Sequence, residues 1–327
     1  FTMKSLIVKA YDSNIEINNS TVTLANLSFP FKNRARVITV DECEKVTISN
    51  VSVYIALNAT WLSYSSRIKE LTPDVLVENI VAHLDVKSEI RDKVSNIIPA
   101  LMTFSRVIAS DPTVKSGKII IRNTSVSSNQ TKDQRLNLKS FLTVRGFSYA
   151  YFQDFSIKNM TFSTFTLGFL ATFEYVEWLQ ISGLEFSGNN IQVNSSYPLF
   201  RLKAINSLTV SDFTFTSNHL KVPPEVTFVL MDLAQVSSVT FQNHTLSYNV
   251  IASGDAQLFK IRDNTDAEKK PSKPNSKFED IKITNNTNTF SLNQFSYFVL
   301  QGPYLGGFEL KSAVFSNNSL SGRIFQL

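Results

Sequence analysis

The chain has 327 residues, enough to bury a large core, and is 43% hydrophobic, 12% aromatic and 18% charged. Charge lies below the roughly 25% of an ordinary globular domain, and Ser, Thr and Asn stand where Lys and Glu usually supply solubility. A net charge of +5 spread along the chain argues against a nucleic-acid-binding face, and a single cysteine, Cys43, excludes an internal disulfide framework.

Taken in chain order, one window recurs: apolar, any, apolar, any, Asn-like, apolar, any, apolar. It runs over Val22–Phe29, Val46–Val53, Val75–Ala82, Ile119–Val126 and Phe155–Phe162, then over Leu179–Phe186, Leu208–Phe215, Val239–Leu246, Ile281–Asn288 and Phe308–Phe315. Period-two alternation is the signal of a strand with one face inward. The fifth position is Asn26, Asn50, Asn79, Asn123, Asn159, Asn243 or Asn285 in seven copies and Gly, Asp or Ser in the rest. These residue types favour turns, so each window reads as two short strands joined at a corner. A second Asn follows several windows (Asn129, Asn189, Asn218, Asn249, Asn318) and suggests a second corner. Another short strand precedes most windows, as in Arg36–Val40, Ser140–Val144, Pro198–Leu202 and Gln257–Ile261.

Three strands and three corners per repeat predict one turn of a coil, with each strand paired to its equivalents about 4.8 Å above and below. The expected fold is all-β: a single parallel β-helix solenoid over residues 1–327, of about ten to eleven coils. A leucine-rich-repeat horseshoe has a similar period but needs a helical arc after each strand. Residues 85–98 break the pattern with apolar residues at helical spacing and predict a helical insertion. Residues 264–278 are polar, contain Pro271 and Pro274, and predict a flexible loop. Smaller insertions are expected near residues 111–118, 131–139 and 219–226. The chain begins at Phe1 and reads as a segment of a longer one.

These windows, with their corner Asn at the same place in coil after coil, resemble the pectin-lyase-like right-handed parallel β-helix superfamily and its asparagine ladder. Phrases such as Phe213–Asn218 and Val314–Asn318 are similar to the repeats of polymorphic outer-membrane adhesins. The resemblance implies the architecture and leaves activity open, because such solenoids host lyases, hydrolases, adhesins and fibres alike.

A polysaccharide-cleaving member would need clustered carboxylates. Asn264-Thr265-Asp266 and Arg67-Ile68-Lys69 match two hydrolase motifs of the resembled family literally, but in reversed order and without the intervening Asp-Asp and Gly-His-Gly. His83, His219 and His244 lack metal-ligand spacing, and His244 falls in an inward slot that suits a hydrogen-bonded core histidine. No catalytic, cofactor or metal site is expected. Cys43, among Asp41, Glu42 and Glu44, reads as an unreactive thiol.

Sequons are enriched. Asn26, Asn50, Asn123, Asn159, Asn243 and Asn285 arise from the corner position itself, followed two residues later by an outward Ser or Thr. Asn18, Asn58, Asn129, Asn194 and Asn317 fall outside that slot and rank as better N-glycan acceptors, with Asn19 below them. The sequence therefore predicts a secreted or cell-surface structural or adhesive glycoprotein. Its expected partners are copies of itself or neighbouring repeat segments, covalent N-glycans and carbohydrate, with no nucleic acid and no membrane span. A carbohydrate-active enzyme and a carbohydrate-binding module are the alternatives, the latter requiring a row of outward aromatics.

Overall fold

A computed structural model describes residues 6–9, 14–18, 21–24, 35–55, 59–68, 70–84, 97–98, 101–106, 115–128, 136–138, 140–164, 170–193, 198–252, 255–262, 275–288, 295–301, 307–319 and 322–326. It is a parallel β-helix solenoid, and no helix occurs among the described residues. The horseshoe alternative falls with the missing helical arcs.

One wall is a ladder in which each strand pairs in parallel with the next coil's. It runs through Asn14–Asn18, Lys45–Ile55, Asp74–Leu84, Lys118–Ser128, Tyr149–Lys158, Ala171–Ser182, Phe200–Ser211, Thr227–Ser247, Asn275–Thr284 and Phe308–Lys311. A second wall uses the strand upstream of each window, from Leu6–Lys9 through Met102–Arg106 and Asp255–Arg262 to Gly322–Gln326. Both walls belong to one 22-stranded sheet, and a separate seven-stranded sheet closes the coil.

That separate sheet corrects the coil expected from sequence. Its strands are Ile97–Ile98, Leu136–Leu138, Thr161–Thr164, Asn190–Gln192, His219–Lys221, Val250–Ala252 and Thr287–Asn288. A full coil therefore has four arms, and the closing sheet has fewer rungs than the ten to eleven coils expected. An arm of two to four residues is too short to show alternation, so 219–221 and 136–138 read as insertion when they are structural. Ile97 and Ile98 are strand and not the end of a helix; 85–96 lie outside the described residues. Likewise 275–278 open the strand Asn275–Thr284 and are not loop, while 264–274 lie outside the described residues.

Three windows belong one arm later than the repeat suggests. Val22 pairs with Val53, Ile157 with Val126, and Ile283 with Leu246. The true partners of Ile119–Ile121 are Ala150–Phe152, and those of Val239–Phe241 are Ser276–Phe278. The arm after the first corner repeats the same apolar-polar-apolar phrase ahead of another Asn, so pattern alone cannot separate the two. Register is set instead by which pairing buries every inward side chain at once.

Inward positions form one core from Val40 to Phe298. Toward the C-terminal coils it becomes a column of phenyl rings. Phe241 and Phe278 stack at 4.8 Å and 11°, Phe259 and Phe298 at 5.5 Å and 17°, and Phe298 and Phe325 at 5.5 Å and 22°. Rung spacing and ring stacking distance nearly match, so phenylalanine at the same inward slot of successive rungs packs ring on ring.

Candidate ligand-binding face

The corners fix which side chains face outward. The first corner carries Asn50, Asn79, Asn123, Asp154, Asp212, Asn243, Asp280 and Ser312, all with φ between 50° and 55°. Asn79 Nδ2 donates to Asn50 Oδ1 and Asn123 Nδ2 to Asn79 Oδ1, each at 3.0 Å. Asn243 Nδ2 donates to Asp212 Oδ1 at 2.6 Å. Asn159 and Asn285, expected here, stand at the next corner with Gly188, Ser217, Tyr248 and Asn317. Gly188, at φ +67°, suits that place because a Cβ would lie 2.3 Å from Asn159 Oδ1.

Of the ranked glycan acceptors, Asn317 is exposed at φ 52°, so corner geometry accounts for this sequon too. Asn18 is a strand residue opposite Ser49. Asn58, Asn129 and Asn194, with Asn19 and Asn26, lie outside the described residues. Asn50, Asn123, Asn159 and Asn243 are exposed and Asn285 half-buried.

The second Asn series is an interior polar column. Asn189, Asn218, Asn249 and Asn286 are buried. Asn218 Nδ2 donates to Phe186 O at 3.0 Å and to Asn249 Oδ1 at 3.1 Å, while its Oδ1 accepts from the backbone N and the Nδ2 of Asn189, both at 3.0 Å. Asn249 and Asn286 repeat the arrangement and pass it to Asn318. Every amide donor and acceptor of Asn218 is thus satisfied without water.

The window wall presents three outward columns. One reads Asp74, Lys118, Tyr149, Trp178, Ser207 and Ser238, the next Leu76, Ile120, Tyr151, Gln180, Thr209 and Thr240, and the third Glu78, Arg122, Gln153, Ser182, Ser211 and Gln242. Tyr149 and Trp178 are directly opposite on adjacent rungs, and Tyr151 lies two residues along from Tyr149. Trp178 is 50% exposed, and the two tyrosines are half-buried. Tyr149 Oη lies 3.5 Å from Gln180 Oε1. Flanking charges come in pairs across the rungs, Lys118 with Asp74 at 3.8 Å and Arg122 with Glu78 at 2.5 Å. Three aromatics on one flat wall are what the carbohydrate-binding alternative required, and sequence reasoning passed over them. Tyr149 and Tyr151 lay outside the slipped window, which began at Phe155.

The neighbouring wall is a charge ladder. Arg262 is bonded to the buried Asp232 through Nε and Nη2, Arg201 lies 3.6 Å from Glu174, and Arg145 sits 5.0 Å from the centre of the Tyr175 ring. Adjacent rungs place opposite charges together, so these carboxylates are engaged. Arg67 and Ile68, from one hydrolase motif, bond their backbone N–H groups to the Glu42 carboxylate. Asn264–Asp266 lie outside the described residues.

Cys43 is fully buried, and Tyr64 Oη donates to its carbonyl at 2.9 Å. His244 is fully buried between Phe213 and Phe241, with ring centroids at 5.9 and 4.9 Å. The expectation of a hydrogen-bonded core histidine fails: the Phe213 backbone approaches the ring, but neither nitrogen meets hydrogen-bond geometry. Burial pushes its pKa down to about 3, against weaker opposing effects of Asp212 and that backbone group. A void of about 20 Å³ among Phe141, Phe152, Phe155, Phe173 and Phe200 could hold one water at most and offers it no polar partner. No cluster of His, Cys, Asp and Glu fit for a metal, and no helix long and apolar enough to cross a membrane, occurs among the described residues.

Compared with family models, curated proteins and solved structures, the chain matches none.

Proposed function

We propose that this chain is a non-enzymatic structural and adhesive segment of a secreted or cell-surface glycoprotein, related to the pectin-lyase-like solenoids and to adhesin-type repeats. One observation carries the reading. Ten rungs of one wall pair in parallel register, from Asn14–Asn18 to Phe308–Lys311, and the buried asparagine column hands the same hydrogen-bond pattern from Asn189 to Asn318, so each rung is a template for its neighbour. A rung such as Gly322–Gln326, with Ile324 and Phe325 at 43% and 40% exposure, can pair in the same register with a neighbouring repeat segment or with another copy.

Sedimentation velocity and negative-stain electron microscopy test this over a range of concentrations. Particles that lengthen with concentration, and an Ile324→Lys/Phe325→Glu variant that stays short, are expected. Discrete particles of constant length at every concentration would sink the stacking reading. Secreted from a glycosylating host, the protein should lose mass on peptide N-glycosidase treatment, and an unchanged mass removes the glycoprotein element. The alternative of a polysaccharide lyase or hydrolase predicts new reducing ends from polygalacturonate or neutral glucans; none is expected.

A further inference from the structure

We propose that Tyr149, Tyr151 and Trp178 form a stacking platform for a neutral polysaccharide, with Gln153, Gln180, Ser182 and Ser211 as its hydrogen-bonding rim. The proposal rests on the adhesive reading and gives it a ligand class.

The fold does not require aromatics there. In the same two columns the next rungs carry Ser207 and Thr209, then Ser238 and Thr240, with the same parallel register. On these and neighbouring rungs the phenylalanines face inward: Phe152, Phe186, Phe213, Phe215 and Phe241 are all buried. The outward rings of this platform are Tyr and Trp, the aromatics that carry a polar tip and serve contact surfaces wetted on one side. Leaving Trp178 half exposed forfeits burial that the core positions one residue away obtain.

The geometry suits an extended sugar chain. Adjacent rungs lie about 4.8 Å apart, close to the length of one pyranose ring, and strand pairing holds all three aromatics on one flat wall. A pyranose ring offers an apolar C–H face for stacking and hydroxyls at its edge. Gln180 and Gln153 supply amides beside the rings, and Ser182 and Ser211 continue the polar row, with Ser211 Oγ donating to Ser182 Oγ at 3.0 Å.

Charge points to a neutral ligand. The five residues of the platform and its amide rim carry none, and the outward charges on preceding rungs are paired, Lys118 with Asp74 and Arg122 with Glu78. The charged neighbours in the platform's own strands, Asp154 and Glu177, are acidic and would repel an anionic polymer. Area argues against a protein partner. Three aromatic side chains at roughly 150–250 Å² each, of which only Trp178 reaches half exposure, offer less than about 375 Å², well below the roughly 800 Å² per partner of a stable interface.

Affinity electrophoresis tests the proposal on the whole chain, in native gels containing xyloglucan, galactomannan or laminarin, and in gels containing polygalacturonate or heparin. Retardation by at least one neutral polysaccharide is expected, with apparent affinity falling roughly tenfold in Trp178→Ala and in Tyr151→Ala, and partly recovered in Trp178→Phe. Thr240→Ala, two rungs away on the same wall, should bind as wild type. Unchanged far-UV circular dichroism separates lost binding from lost fold. Retardation only in the acidic gels, equal retardation of Trp178→Ala and wild type, or none at all overturns the proposal. So does self-association that Trp178→Ala abolishes, since the patch would then be an interface between copies. Stacking through the Ile324 and Phe325 edge is read on a different variant, so failure of one reading is distinguishable from failure of the other.

Discussion

Asn218 links three rungs through one side chain. Its Nδ2 reaches back to Phe186 O and forward to Asn249 Oδ1, while its Oδ1 takes both donors of Asn189. Asn218→Ala would leave several of these groups buried and unpaired, each costing about 1–3 kcal/mol. Partial relaxation should hold the total to roughly 3 kcal/mol, read as a shift in urea midpoint. Asn318→Ala, at the half-buried end of the same column, should be milder. Equal effects of the two would show that the column is not a cumulative structure. His244 makes the opposite case. The ring is neutral when buried, with its pKa near 3, and regains the ordinary value of about 6.5 when unfolded. Between these values the unfolded state binds the extra proton, so the histidine's contribution weakens as pH falls from about 6.5 toward 3. As pH falls across that window the stability of His244→Phe should gain on wild type by about 1.4 kcal/mol per pH unit. Parallel pH profiles from thermal melts would contradict this.

The stacked phenyl rings act at the level of the strand. Phe278 touches Phe241, Phe259, Phe298 and Phe308 with ring centroids between 4.8 and 5.5 Å. Phe278→Ala should cost about 3–5 kcal/mol, and Phe278→Leu distinctly less, because leucine still fills most of the space. Guanidinium denaturation of the two variants measures the gap. Strands of this kind were largely legible in the amino-acid order: Leu208–Phe215 and Val239–Leu246 occupy the arms and the corner that alternation predicts. Legibility failed where local chemistry repeats itself. Phe155–Phe162 and Ile281–Asn288 look like the others, yet they sit one arm later, because a corner asparagine ends more than one arm. Tyr175, Ala204, Gln235 and Tyr248 take left-handed backbone angles with no residue-type signal at all, imposed by the rungs on either side. The aromatic face was hidden for the same reason, since Tyr149 and Tyr151 turn outward only once the register is known.

Across the whole molecule each rung touches mainly the rungs before and after it, so stability propagates by neighbours. Amide exchange should therefore be slowest in Phe200–Ser211 and in the central part of Thr227–Ser247, and faster in Phe308–Lys311. In Phe278→Ala the loss of protection should spread to Phe295–Gln301 before it reaches Asp74–Leu84. Uniform exchange throughout, measured by mass spectrometry, would instead indicate one cooperative unit. The buried asparagine column adds a constraint of another kind. The Nδ2 of Asn189, Asn218, Asn249 and Asn286 each donates to the Oδ1 of the following rung, so these amide dipoles all point one way along the axis. A column with a direction has unlike ends, and two such ends meet only head to tail. Growth by that contact is heterologous and has no symmetry that closes it, so the length of any fibre would be set by something other than the rung itself.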